Sequence, residues 1–247
     1  MRPAGKKAIG ILGGMGPEAT AKFFELVVRN TRAARDQEHV PVIVCNLPQI
    51  PDRTPAILHG GSSPVPALVR GLEILRGAGA RFAVMPCISA HYFYPVLAAR
   101  SPIAIVHLIE ETAAAVRRIR PRIARVGLLA TTGTVRSRIV HDVFEAAGIE
   151  VLTPDARAQK RLMEAIYGRN GIKAGVTSGP PRKAVLGLTR ALVRAGAGAV
   201  VAGCTEVPLV LRPGDLSVPL IDPMVIGARA CIRKAGGRLR PDRAPKP

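Results

Sequence analysis

The chain has 247 residues, 48% of them hydrophobic, no tryptophan and a net charge of +19. That length holds one large domain or two of about 110 residues, with an Ala/Val/Leu/Ile core, and no apolar run reaches the roughly 18 to 20 residues that span a bilayer. Four cysteines without C-x-x-C or other metal-ligand spacing argue against a zinc site and predict reduced thiols in the cytoplasm, while the scattered basic residues, clustered only at the two ends and lacking a nucleic-acid motif, read as solvated helix faces.

Residues 8–12 read as a first strand, and the Gly-rich turn 13–16 leads into a helix from Pro17 to about residue 35. Proline favours the first helical position, and Ala19, Phe23, Leu26 and Val27 share one face. Lys6 and Lys7 imitate the start of a signal peptide, but the same strand–turn–helix opening recurs inside the chain, so this stretch belongs to the mature structure. A strand over 40–45 is followed by the proline-dense loop 46–55, which predicts irregular backbone on the active face of an α/β sheet. A helix over 64–78, a strand over 82–86 running into Cys87, a helix from near Ser89, a strand over 103–107 and a helix over 109–120 complete the first half. The second half reads as strand 125–130, turn 131–134, helix 135–147 stopped by Gly148, strand 150–153, helix 156–168, a Gly-rich loop 168–179 holding Lys173, helix 181–196 and strand 198–202 running into Cys204. The segment 221–231 ends as a helix returning to the first lobe, and the basic Pro/Gly tail from Gly236 is expected to be disordered. Strands alternating with helices imply parallel sheets.

The two halves keep one register. Gly10 and Gly127 stand 117 residues apart, as do Cys87 and Cys204, and the same phrase precedes each thiol's strand, Ala78-Gly79-Ala80 and Ala195-Gly196-Ala197. The fold class expected is therefore α/β, as two pseudosymmetric lobes, each a parallel sheet flanked by helices, with the active site in the cleft between them. Residues 1–112 plus 217–247 would form the lobe carrying Cys87, and residues 113–216 the lobe carrying Cys204. Cys45, inside a strand, and Cys231, on the last helix, read as inert.

Ligands of open parallel sheets sit beyond the carboxyl ends of the strands, where both Cys87 and Cys204 fall. If the lobes face each other, the thiols flank one ligand from opposite sides. The helix starts after each cysteine offer free N–H groups that bind carboxylate and lower thiol pKa. Such a pair suits moving a proton at a carbon next to a carboxylate, one sulfur on each face. Met15 and Gly16 in the first Gly-rich turn, and Thr132 and Thr134 in its counterpart, are placed to line the cleft. The turn lacks the G-x-G-x-x-G spacing of a dinucleotide site.

The stretches Ile11-Leu12-Gly13-Gly14-Met15-Gly16-Pro17-Glu18-Ala19-Thr20, Pro48-Gln49-Ile50-Pro51-Asp52-Arg53-Thr54, Pro86-Cys87 with His91, and Gly203-Cys204-Thr205-Glu206 resemble the aspartate/glutamate racemase family, closest to its aspartate racemase branch, over about residues 8–225. The resemblance implies the two-lobed fold, a cysteine pair as the two bases, no cofactor such as pyridoxal phosphate and no metal, an acidic amino acid (aspartate before glutamate) as substrate, and a homodimer. It also implies that Arg53 and Lys173, the latter within Ile172-Lys173-Ala174-Gly175, bind substrate carboxylates, with Gln49 and Thr205 in the same motifs near the substrate. The repeat supports the two cations, since the position 117 residues after Arg53 lies three residues from Lys173.

One departure stands out. The family reads Cys-Asn-Thr-Ala-His where this chain has Cys87-Ile88-Ser89-Ala90-His91. Ser89 can replace the hydroxyl, but Ile88 cannot replace an amide, a loss of about 0.5 to 3 kcal/mol per hydrogen bond. Another amino acid or carboxylic acid as substrate, or a ligand-binding homologue without catalysis, stays open on that account. Glu206 is expected to raise the Cys204 thiol by like-charge repulsion. His91 either tunes Cys87 towards thiolate or serves as a packing and capping group. Cys87 is then the resting thiolate and Cys204 the thiol.

Overall fold

The structure, a computed structural model, describes residues 5–241. In the first half β1 (Ile9–Gly13), α1 (Pro17–Asn30), β2 (Val42–Asn46), α2 (Arg53–Leu58), α3 (Val65–Gly77), β3 (Phe82–Val84), α4 (Tyr94–Arg100), β4 (Ile105–Val106) and α5 (Leu108–Arg117) follow in order. The second half runs β5 (Arg125–Leu129), α6 (Thr132–Arg136), α7 (Ile139–Ala146), β6 (Glu150–Leu152), α8 (Ala156–Tyr167), α9 (Gly179–Arg194), β7 (Ala199–Ala202), α10 (Val207–Val210), β8 (Leu220–Ile221) and α11 (Pro223–Lys234). Two four-stranded parallel sheets result, ordered β2-β1-β3-β4 and β6-β5-β7-β8. Ile9 pairs with Phe82 as Val126 pairs with Ala199, so the 117-residue offset is a register of strands.

The repeated phrases have a packing reason. Each Ala-Gly-Ala stops the helix before the thiol's strand: Gly79 and Gly196 both take φ +97°, and Ala80 and Ala197 donate their N–H back to Leu75 and Leu192. The stopped helix then lies on the glycine of the central strand. A methyl group at Gly10 would come within 3.0 Å of the Ala80 Cβ, and one at Gly127 within 2.9 Å of the Leu192 Cβ. Glycine at these two positions lets the helices seat closely on both sheets.

Three apolar clusters hold the molecule. One lies under the outer helices of each lobe, around Leu12, Leu68, Leu72 and Met85 in the first and Leu162, Leu188, Val200 and Val207 in the second. The third belongs to both lobes, joining Ile9, Phe23, Val84 and Leu108 to Leu128, Val140, Phe144 and Val201. It is built where α5 packs on α7 and where α11 packs on α1 and α5. Cys231 is fully buried there, and burial pushes its thiol up to about 12; burial raises Cys45 as well.

The structure departs from the sequence reading in several places. α1 ends at Asn30 rather than near 35, because Thr31 turns extended, bonds Val27 through its hydroxyl at 2.7 Å and bridges Leu239. Arg240 donates its N–H to the Asn30 carbonyl, so residues 236–240 of the supposed disordered tail are ordered against α1, and 242–247 lie outside the described residues. The loop expected over 46–55 gives way to α2 at Arg53, where the Asp52 side chain caps the Thr54 N–H. A 3-10 turn over Ser89–Phe93 precedes α4. The helix expected over 135–147 is two helices, broken at Arg138 with φ +58°. Residues Leu220–Ile221 add the edge strand of the second sheet, so the return to the first lobe starts at Pro223, not at 217. Among the described residues no helix is long and apolar enough to cross a membrane, and no group of three or more His, Cys, Asp or Glu is placed to hold a metal ion.

Candidate active site

Cys87 lies three residues beyond the end of β3 and Cys204 two beyond the end of β7. The chain turns sharply after each strand, Cys87 donating its N–H to Met85 and Gly203 its N–H to Val201. Both thiols are buried, 4% and 6% exposed, and both face one narrow space that Met15, Arg53, Ile88 and Ser89 share with Thr131, Thr134, Tyr167, Lys173, Thr205 and Glu206. That inner space has room for no more than a single water molecule. It adjoins an outer cavity of about 390 Å³ between Gly14–Ala19, the Pro48–Arg53 stretch, Ile172 and Leu209. Met15, Arg53, Lys173 and Glu206 line both spaces and form the passage between them.

The surroundings of the two sulfurs differ. Cys204 Sγ donates to Glu206 Oε2 at 2.8 Å, and the Thr205 hydroxyl donates to the same oxygen at 3.2 Å. The other oxygen accepts from Lys173 Nζ at 2.6 Å. Burial first, and then the Glu206 carboxylate, hold the Cys204 thiol well above its usual range. Burial works to lower Lys173, but Glu206 and Cys204 overcome it, so the ammonium is held above its ordinary value. Its Nζ also lies 5.3 Å from the centre of the Tyr167 ring, within cation–π range. Burial pushes the Tyr167 phenol up strongly, Asp52 and Cys204 adding to it.

Cys87 has the Ser89 hydroxyl at 3.5 Å and Arg53 nearby. Arg53 is 6% exposed. Nη1 donates to the Pro51 carbonyl at 2.8 Å and Ile50 at 3.3 Å, Nη2 donates to Met15 at 3.4 Å, and the buried Nε has no partner. Burial opposes its charge, yet Cys87 and then Asp52 keep it raised. A buried donor without an acceptor is costly, and a ligand carboxylate is the acceptor it suits.

Among the residues singled out from sequence, Met15, Arg53, Ile88, Ser89, Thr134, Lys173, Thr205 and Glu206 meet the thiols in the inner space, and Gly16 lines the outer cavity. Gln49 does not join them. It occupies a turn closed by Ile50 N–H to Leu47 carbonyl, exposed, while its neighbours Pro48 and Ile50 face the cavity. Thr132 points elsewhere too, its hydroxyl accepting from Gln159 and its N–H lying against the Met163 sulfur. Thr131, which caps α6 and bonds Thr134 at 3.1 Å, takes the cleft position instead. The repeat offset did not single it out, since 117 residues after Gly14 lies Thr131 and after cleft-lining Met15 lies Thr132. Tyr167 was also missed, and an aromatic ending a helix just before the Gly-rich loop was its only mark.

His91 corrects the expectation that it tunes the thiol. Nε2 accepts the Leu108 N–H at 3.1 Å, which leaves Nδ1 to donate to the Cys87 carbonyl at 2.9 Å. The ring thus ties the thiol's backbone to the start of α5 and is neutral, burial and then His107 lowering it to about 4. In the unfolded chain it takes a proton near pH 6.5, so the stability of the neutral buried ring is present above pH 6.5 and lost towards pH 4, by about 3 kcal/mol. Asp222, pushed up to about 6 by burial, acts oppositely, keeping its proton in the fold where the unfolded carboxyl has lost it. The two effects offset each other between pH 4 and 6. Asp222→Asn removes one of them, and urea midpoints for that variant are expected to fall more steeply than wild type from pH 6 to 4.

Two like-ordered parallel sheets, each delivering a thiol to one cleft beside a buried guanidinium, define a pseudosymmetric α/β protein with a paired-thiol cleft between its lobes. Residues 12–231 match the family model described as Asp/Glu/Hydantoin racemase, and the chain belongs to that family of amino-acid racemases. The broad specificity amino-acid racemase RacX of Bacillus subtilis (strain 168) is 26% identical over 235 residues, spanning 92% of this chain and 95% of that protein. The Picrophilus torridus aspartate racemase structure superposes with a TM-score of 0.84 at 31% identity, covering 95% of this chain and 96% of that one. An aspartate racemase homologue from Pyrococcus horikoshii OT3 shares the fold, with a TM-score of 0.73, 22% identity and coverage of 93% and 99%.

Proposed function

We propose that the protein racemises an acidic amino acid, aspartate before glutamate, by two-base proton transfer without a cofactor, as a cytoplasmic homodimer. The observation that carries this reading is the meeting of both buried sulfurs in one space with Arg53, whose Nε lacks an acceptor. The substrate α-carboxylate takes that acceptor role. The Cys87 thiolate removes the α-proton from one face while the Cys204 thiol gives its proton to the other, and the negative charge passes transiently onto the carboxylate held by Arg53. Cys87 beside a cation and Cys204 beside a carboxylate support the first as resting thiolate and the second as thiol.

Glu206 already takes one Lys173 donor and offsets its charge, which weakens the pull on a side-chain carboxylate, and Ile88 presents an apolar wall continuous with Ile109, Val140 and Phe144. These observations favour a second reading, in which a neutral amino acid is also accepted. The test is incubation in heavy water with L-aspartate, L-glutamate and a panel of neutral L-amino acids, followed by proton NMR and chiral chromatography. Loss of the α-proton with appearance of the D-enantiomer is expected for aspartate. Exchange confined to neutral amino acids would overturn the acidic assignment, and no exchange with any would overturn racemisation.

A further inference from the structure

We propose that Glu206 is a proton relay between Cys204 and the outer cavity, resetting the thiol pair after each turnover. The proposal rests on the two-base reading above. Converting one L-enantiomer moves a proton onto Cys87 and takes one from Cys204. Before the next L-substrate, Cys204 must regain a proton and Cys87 must lose one.

Cys204 is buried, and the narrow space it faces gives it no broad access to solvent. Its side-chain partner is Glu206 Oε2 at 2.8 Å. Glu206 is itself only 5% exposed, yet it lines the outer cavity as well as the inner space. The opposite oxygen holds Lys173 Nζ, whose side chain is 26% exposed and lines the same cavity. The chain sulfur–carboxylate–ammonium therefore runs from the buried thiol to the cavity through two hydrogen bonds.

The step balances with water as the proton source. The Lys173 ammonium passes a proton to Oε1, a half-turn about Cγ–Cδ presents it to Sγ, and the thiolate becomes a thiol. The Lys173 amine then takes a proton from water in the outer cavity, leaving ammonium and carboxylate as before, and the hydroxide so formed takes up the proton that Cys87 releases, so no net charge or proton is left over. Burial and the neighbouring carboxylate make the Cys204 thiolate costly, so the transfer runs towards the thiol. Cys87, with Ser89 and Arg53 beside it, has no carboxylate in this role.

Glu206→Gln keeps the shape of the side chain but cannot carry a proton. Its kcat is expected to fall at least tenfold, by more than kcat/KM, with the rate dropping further as substrate rises because the unreset form accumulates. Formate, small enough for the outer cavity, should restore part of the rate, and Glu206→Asp should recover most of it. Circular dichroism and thermal melting check that each variant is folded, and if Glu206→Gln does not fold, Glu206→Asp against wild type with and without formate decides. A folded Glu206→Gln with a wild-type substrate profile, or a loss that formate leaves untouched, would overturn the relay while α-proton exchange by the wild type leaves racemisation standing. Absence of exchange in the wild type would overturn both.

Discussion

Replacing Cys87 or Cys204 by serine is expected to lower racemisation at least a thousandfold, yet leave each variant able to exchange the α-proton of one enantiomer. A serine hydroxyl is far too weak an acid to serve as a base or to return a proton at neutral pH. A positioned acid–base group contributes about 10² to 10⁴ in rate, and both are needed in one turnover. With Cys87 as the base for the L-face, Cys204→Ser should still wash deuterium into L-aspartate without inverting it, and Cys87→Ser should do so for D-aspartate. Sulfur-to-oxygen replacement at these turns leaves the strand ends, the His91 tie and the Arg53 carbonyl bonds in place, so the melting temperature should move little. Proton NMR of each enantiomer in heavy water separates the two half-reactions. Equal exchange of both enantiomers by either variant would place the thiols in other roles.

Arg53→Gln is expected to reduce kcat/KM by about 10² to 10³, the 3 to 4 kcal/mol typical of leaving a buried partner charge unpaired. Most of the loss should fall on kcat, since the carboxylate gains charge as the proton leaves. Arg53→Lys should rescue poorly. An ammonium cannot bond the Ile50, Pro51 and Met15 carbonyls and still present a further donor in the plane where Nε lies. Steady-state kinetics of both variants with thermal melts give the comparison, and a lysine variant with near wild-type kcat would show that only the charge matters.

The α/β class, the order of elements and the facing thiols were legible because the repeat carries physical information. Glycines 10 and 127 and the two Ala-Gly-Ala stops mark the same helix-on-strand contact twice, and two such contacts at one offset define a doubled unit. The cleft residues were legible where they follow a strand end directly, as Ser89, Thr205 and Glu206 do. Side-chain direction in the turns was not. Thr131 and Thr132 are equivalent in composition, and only the capping bond to Thr134 sends one into the cleft and the other towards Gln159. Gln49 sits between two cavity-lining neighbours, and the geometry of its turn points it outward. For His91 the sequence left tuning of the thiol and a packing or capping role both open, because no pattern in the chain announces that the Leu108 N–H, far along the sequence, will claim its ring.

The apolar cluster common to both lobes has a mechanical meaning. Together with α11 it joins the two halves, and through Ile88 it reaches up to the residue beside Cys87. Sliding one lobe against the other would expose that buried apolar surface, so the shared core holds the two sulfur-bearing turns in a fixed relation. The inner space between those turns is thereby kept narrow, with little room for bulk water beside the sulfurs.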